Sequence, residues 1–274
     1  MNTTELHASP DIDETIFFDD FTGVELDRSK WNVAITGEVT NHEQQAYIDS
    51  AETIYLIPGD SENANGALVL HPRWRPGTRT PEGRRFDFVS GRIHTRGKME
   101  FTYGSIAARI RLSAGVGLWP AFWALGLGAW PVCGEIDIME NVGEPDWASA
   151  AVHGPGYSGD AALVNNRYFP PQNDATAWHV YAVDWTPADG LLFKFDGELM
   201  YRVTRPMVEA FGPWAYDDPK FLLLNFALGG GYPFKINGVR QPYFGLPETT
   251  AQSIRRDEIR MLVDWVRVTK WIPS

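Results

Sequence analysis

Cysteine is almost missing from this 274-residue chain. Cys133 stands alone, so no internal disulfide can form. Its expected role is that of a small buried hydrophobe, since no histidine close in sequence supports a reactive thiol. Long apolar runs are missing too. No stretch approaches the roughly 20 residues of a membrane-spanning helix, and the polar start Met1-Asn-Thr-Thr-Glu-Leu-His lacks the pattern of a signal peptide. Positive charge is in short supply: 24 Lys and Arg face 35 Asp and Glu, for a formal net charge of −11. That balance argues against nucleic acid or an anionic membrane as the main partner, and leans towards an uncharged substrate. There is no repeat, no Gly/Ser or Pro linker and no second composition regime. One domain over residues 15–274 is therefore expected, behind an acidic, polar and flexible segment 1–14.

Helical periodicity is scarce as well. Only Arg205–Phe211 reads as briefly helical, whereas alternation is widespread. Across Phe101–Leu112, Ile106, Ala108, Ile110 and Leu112 alternate with Ala107, Arg109 and Arg111, the pattern of a half-buried antiparallel strand. Thr15–Phe21, Ala67–His71, His179–Trp185 and Arg260–Lys270 supply further strands. Asp196-Gly197 between two apolar runs predicts a hairpin with a type I′ turn. An apolar fraction of 44% is ample for a core, and 11 Trp, 10 Tyr and 15 Phe leave aromatic faces to spare. Such a chain closes as two packed sheets or a barrel: the fold class is all-β.

The chain is organised around Gly134-Glu135-Ile136-Asp137-Ile138-Met139-Glu140. Alternation puts Glu135 and Asp137 on one face of a strand but sends Glu140 into the apolar layer, where an unpaired charge costs several kcal/mol. A one-residue β-bulge at Ile138-Met139 returns Glu140 to the acidic face. With the bulge, Glu135 and Glu140 lie about four strand positions, or roughly 13 Å between Cα atoms, apart. Their carboxyls converge only on a concave sheet. Paired carboxylates on one face suit retaining glycoside hydrolysis, with one as nucleophile and the other as general acid then base. Asp137 between them discourages simultaneous ionisation and helps keep the acid protonated. No Lys or Arg occurs between Ala114 and Asn166 to partner this cluster. The basic segment 73–85, with five Arg, reads as a solvated loop or as a rim for a charged or extended polymer.

Glu135-Ile-Asp-Ile-Met-Glu140 resembles the E-x-D-x-x-E signature of glycoside hydrolase family 16, in the bulged form of laminarinases, agarases and carrageenases. Asp27-Arg-Ser-Lys-Trp-Asn32, Asn41-His-Glu-Gln-Gln-Ala-Tyr47, Ser90-Gly-Arg-Ile93, Tyr103-Gly-Ser105, Gly117-Leu-Trp-Pro-Ala-Phe-Trp123, His153-Gly154, His179-Val-Tyr181 and Asp264-Trp-Val-Arg-Val268 follow in the family's order. The resemblance implies a β-jelly roll with a concave cleft, Glu135 as nucleophile, Asp137 as assisting carboxylate and Glu140 as general acid/base. It implies sugar stacking by Trp119 and Trp123, and hydroxyl contacts from Asn41 and Arg92 in the non-reducing subsites. His153 is expected to face Glu140. No cofactor is required, though a structural calcium at Asp264, with backbone oxygens near Phe17 and Gly66, is a family feature that suits hard oxygen ligands.

The expected activity is endo-hydrolysis of β-1,3 bonds in laminarin-like or mixed-linkage β-glucans, by a monomer secreted from the cell. A galactan hydrolase (agarose, porphyran, carrageenan), a transglycosylase and a non-catalytic glucan-binding module are the alternatives. The chain departs from laminarinases after Asn225-Phe-Ala-Leu-Gly-Gly230. There Gly231-Tyr232-Pro233 replaces a Trp-Pro, and a long segment to Glu258 is expected to border the aglycone side, with Tyr232 as a substitute stacking platform.

Overall fold

The computed structural model describes residues 14–62 and 65–271, so nearly all of the segment 1–14 lies outside the described residues. In chain order the strands begin with β1 (Glu14–Asp19), β2 (Asn32–Val33), β3 (Gln45–Tyr47), β4 (Ile54–Ile57), β5 (Ala67–Leu70) and β6 (Arg73–Arg79). Next come β7 (Arg85–Ser90), β8 (Arg92–His94), β9 (Gly104–Arg111), β10 (Leu118–Gly126), β11 (Glu135–Glu140) and β12 (Trp147–His153). The last are β13 (Leu163–Tyr168), β14 (His179–Thr186), β15 (Gly190–Phe195), β16 (Glu198–Val203), β17 (Lys220–Leu228) and β18 (Met261–Lys270).

Two large sheets pack face to face. One runs β16-β15-β14-β9-β18-β5-β4, with β1 added along β18; the other runs β13-β12-β11-β10-β17-β8-β2. The pairings within both are antiparallel. A small third sheet, β3-β7-β6, holds the basic segment as a hairpin rather than a loop. Alternation on β9 buries Ile106, Ala108 and Ile110 against Phe122, Ile136 and Ile138 of the opposite sheet, in one continuous core. Each Ile or Phe among them contributes about 1.5–3 kcal/mol on burial. The first strand is tied down by Asp19, whose Oδ2 accepts from Trp31 Nε1 at 2.7 Å, while Phe17 meets the Trp31 ring edge-on. At the β15–β16 turn both Asp196 and Gly197 have positive φ (53° and 80°), as a type I′ turn requires.

Helix is more plentiful than the sequence pattern indicates. Besides α1 (Arg205–Glu209), the segment after β17 folds into α2 (Gly231–Asn237) and α3 (Glu248–Arg255). On α3, Thr250, Ala251 and Ile254 face inward, an apolar stripe too short to stand out as a period. Cys133 is half-buried rather than buried. His179 is buried, and both its ring nitrogens meet acceptors: Nδ1 lies 2.6 Å from Asp196 Oδ2 and Nε2 lies 2.8 Å from Asp174 O. Burial opposes the charged ring, but these two bonds outweigh it and raise the pKa of His179.

Candidate active site

The bulge places the carboxylates. Glu135 pairs with Leu125 and Glu140 with Ala121 across β10, so five steps on β11 match four on its neighbour. The same offset recurs against β12, where Glu135 faces His153 and Glu140 faces Ser149. Ile136, Ile138 and Met139 enter the core, leaving Glu135, Asp137 and Glu140 on the opposite face. Directly paired residues share a face, so register also lays out the floor around them. One row reads Ser149, Glu140, Ala121, Asn225, Arg92 across β12, β11, β10, β17 and β8. The next reads Ala151, Asp137, Trp123, Leu223, His94.

Each glutamate receives an indole N–H. Trp130 Nε1 donates to Glu135 Oε2 at 2.7 Å, and Trp119 Nε1 donates to Glu140 Oε1 at 2.8 Å. Asp137 sits deepest at 3% exposure and hydrogen-bonds Glu135. His153 Nε2 stands 3.2 Å from Asp137 Oδ2, while its Nδ1 accepts from Gly159 N at 3.1 Å. That acceptor role leaves Nε2 as the ring's N–H, within ion-pair reach of Asp137 Oδ2 but outside hydrogen-bond geometry. His153 shares the acidic face, where its charge acts on both Glu135 and Glu140; strand pairing sets it beside Glu135, and its nearest carboxylate is Asp137.

The remaining predicted residues gather around this centre. Trp119 meets Tyr232 edge-to-face at 5.6 Å, and the Tyr232 hydroxyl lies 3.3 Å from Ser149 Oγ. Trp123 Nε1 donates to Asn225 Oδ1 at 2.7 Å, with the Arg92 guanidinium 5.0 Å from the Trp123 ring. Asn225 Nδ2 in turn donates to Tyr47 OH at 3.1 Å. Asn41 is exposed in a left-handed conformation (φ 53°), and its carbonyl accepts from Gly231 N at 2.6 Å. The segment after β17 therefore packs on the Asn41 loop as well as beside Glu140.

In sequence and fold the chain around this acidic strand is similar to known proteins. Residues 85–223 match the family model described as glycosyl hydrolases family 16. A β-glucanase of Rhodothermus marinus is 32% identical over 270 residues, covering 92% of this chain and 83% of that protein. The endo-β-1,3-glucanase of Pyrococcus furiosus superposes with a TM-score of 0.80 at 33% identity, covering 95% of each chain. The chain belongs to glycoside hydrolase family 16. A third relative, the endo-β-1,3(4)-glucanase SCLam, was crystallised as a mutant with 1,3-β-D-cellotriosyl-glucose (26% identity, TM-score 0.78, 96% of each chain). The matched span carries the acidic strand of this family 16 chain; Asn41, Tyr232 and Asp264 lie outside it.

Burial dominates the electrostatics of the family 16 site. It pushes Glu135 up to about 8, helped by the charge of Asp137, with the Trp130 N–H pulling the other way. Burial likewise raises Asp137 far above the carboxylate range and raises Glu140, which the Trp119 N–H partly offsets. Each carboxyl's charge raises the pKa of a neighbour, Asp137 acting on Glu135 and Glu140 on Asp137, so the three do not ionise together. Asp137, deeper than Glu135, is driven furthest towards the neutral acid by burial, while the bond between them raises Glu135 and the Trp130 N–H favours the Glu135 anion. A raised folded pKa gives stability that is complete below the unfolded value near 4.5 and is lost as pH rises towards 8. We therefore expect stability to fall between pH 4.5 and 8, and Glu135→Gln to flatten that slope. Urea midpoints across the range check this; an unchanged slope in the variant contradicts it.

Two contacts add to the sequence reading. Asp264 Oδ2 accepts from Arg109 Nη1 at 2.5 Å, so a guanidinium already neutralises the carboxylate expected to hold calcium. That ion pair competes with any cation for the Asp264 carboxylate. Trp130 was not singled out from sequence as a functional residue, although it contacts the nucleophile position directly. Its nearness to Glu135 in the chain was the available signal. Asn225 has no comparable signal, because strand register alone brings it beside Trp123.

Proposed function

We propose that this chain is a retaining endo-glycoside hydrolase acting on β-1,3 bonds of laminarin-like or mixed-linkage β-glucans. One observation carries the reading: Glu135 and Glu140 share one face across a bulge, each with its own indole donor. Glu135, held as an anion by Trp130, attacks the anomeric carbon, and Glu140 protonates the departing glycosidic oxygen. A glycosyl-enzyme ester forms on Glu135. Glu140, now a carboxylate, then takes a proton from water as that water attacks the same carbon, so configuration is retained. The bond from Trp119 N–H stabilises the carboxylate form that Glu140 adopts midway. Asp137 tunes Glu135, and His153 holds Asp137 in place.

The relatives named for β-1,3 and β-1,3(4) glucans favour this polymer class. A sulfated galactan receives less support, since Arg75 of the basic hairpin is paired with Glu52 and Arg73 with Asp257. A pure binding module has no use for two glutamates on one face, each with its own indole donor. The test is reducing-sugar release from laminarin, mixed-linkage β-glucan, agarose and carrageenan. Laminarin should yield mixed oligosaccharides with a rapid fall in viscosity. Release from a galactan alone would overturn the glucan reading.

A further inference from the structure

A cavity of about 380 Å³, lined by Val39, His42, Gln44 and Phe244, opens beside the catalytic cleft. Its volume lies within the range of small-ligand sites. The backbone of Gly229-Gly230 runs between its lining and Trp119 of the aromatic floor. A Cβ at Gly230 would stand 3.3 Å from Trp119 Cζ3, whereas one at Gly229 would stand 2.8 Å from Gln44 Cγ and 2.3 Å from Phe244 O. Positive φ at both glycines (57° and 95°) lets the chain turn through this narrow gap. The walls are fixed from both sides: Gly230 N donates to Phe244 O at 2.8 Å, and Gly231 N donates to Asn41 O at 2.6 Å.

The lining suits a sugar. His42 and Phe244 meet at 5.6 Å and 71°, forming a corner of two rings. Phe234 stacks on Phe244 at 4.2 Å and keeps that wall rigid. Gln44 Nε2 is spent on His42 O at 2.6 Å, which leaves its Oε1 as an acceptor for a hydroxyl. A flat apolar surface beside polar edges matches the apolar faces and equatorial hydroxyls of glucose units. The substrate is itself a polymer that runs beyond the cleft, so its own chain is the occupant that continuity with the site favours.

We infer that this cavity is an accessory subsite for a glucosyl unit remote from the cleaved bond, so that Phe244 and His42 set the preference for long chains. The inference rests on the glucanase reading. It is tested by kcat/KM for laminariheptaose and laminaritriose in the wild type, Phe244→Ala and His42→Ala, with melting curves for all three. His42 is exposed and on a loop, so His42→Ala keeps the test intact should Phe244→Ala unfold. The expected result is a loss of about tenfold on the heptaose, mostly in KM, with the triose unchanged. Equal losses on both, or no loss on either, in a folded variant overturns the subsite. No cleavage of any β-1,3-glucan by the wild type overturns the glucanase reading instead.

Discussion

Glu140→Gln is expected to lower kcat on laminarin by about 10²–10⁴-fold, the usual worth of a positioned general acid and base, while glucan affinity stays within about threefold. The amide still accepts from Trp119 Nε1, so the 2.8 Å contact that fixes the side chain survives. What disappears is the proton. An aryl glucoside whose leaving group departs unaided should therefore form the glycosyl-enzyme at nearly the wild-type rate. Azide added to Glu140→Ala should intercept that ester and yield a β-glycosyl azide. In Glu135→Ala, where no ester can form, azide attacks the opposite face and yields the α product. The anomer identifies which glutamate is the nucleophile. Reversed anomers would exchange the two roles, and an active Glu140→Gln would remove it from the reaction path.

That experiment turns on the bulge, the feature of the site most legible in the sequence. Alternation alone condemned Glu140 to the core, and the cost of a buried charge demanded one extra residue. Strand pairing places that residue between Asp137 and Glu140 on both sides of β11. Local patterns were enough wherever one strand decides its own faces, as on β9, or where a turn carries its own chemistry, as at Asp196-Gly197. Contacts that depend on register between distant strands were not legible. The bond from Trp123 to Asn225 joins residues 102 positions apart, and that from Asn225 to Tyr47 spans 178. His153 illustrates the middle ground. Its face follows from the family motif, but its carboxylate partner depends on how β11 and β12 slide past the bulge. The segment after β17 was misread for another reason: α2 and α3 are too short to show a helical period.

Lys220 carries the second large effect, and sequence gave no hint of it. This fully buried lysine opens β17 with no carboxylate in ion-pair contact among the described residues, although the charges of Asp218 and Asp217 act on it. Its Nζ donates to Cys133 O at 2.9 Å and Ala215 O at 3.0 Å, against the faces of Trp185 and Tyr216. Cys133 ends the loop that offers Trp130 to Glu135, and Tyr216 OH donates to His153 O at 3.0 Å. One ammonium thus staples the two loops that position both neighbours of the acid pair. Lys220→Met leaves two buried carbonyls unpaired, at about 1–3 kcal/mol each, less what is regained by no longer burying a charge. We expect a net loss of about 2 kcal/mol and a fall in kcat larger than the change in KM, because Trp130 loses its anchor. Burial brings the Lys220 pKa down to about 8, so its contribution has the opposite sign to that of Glu135. A depressed lysine makes the folded state bind fewer protons between pH 8 and 10.5, and stability from this group rises across that window. The neutral amine still has two N–H groups for two carbonyls, so the staple outlasts the charge. In urea titrations the wild type should gain stability above pH 8 through this group, and Lys220→Met should lose that gain. A variant with wild-type stability and unchanged kcat would show that the two loops hold their places without it.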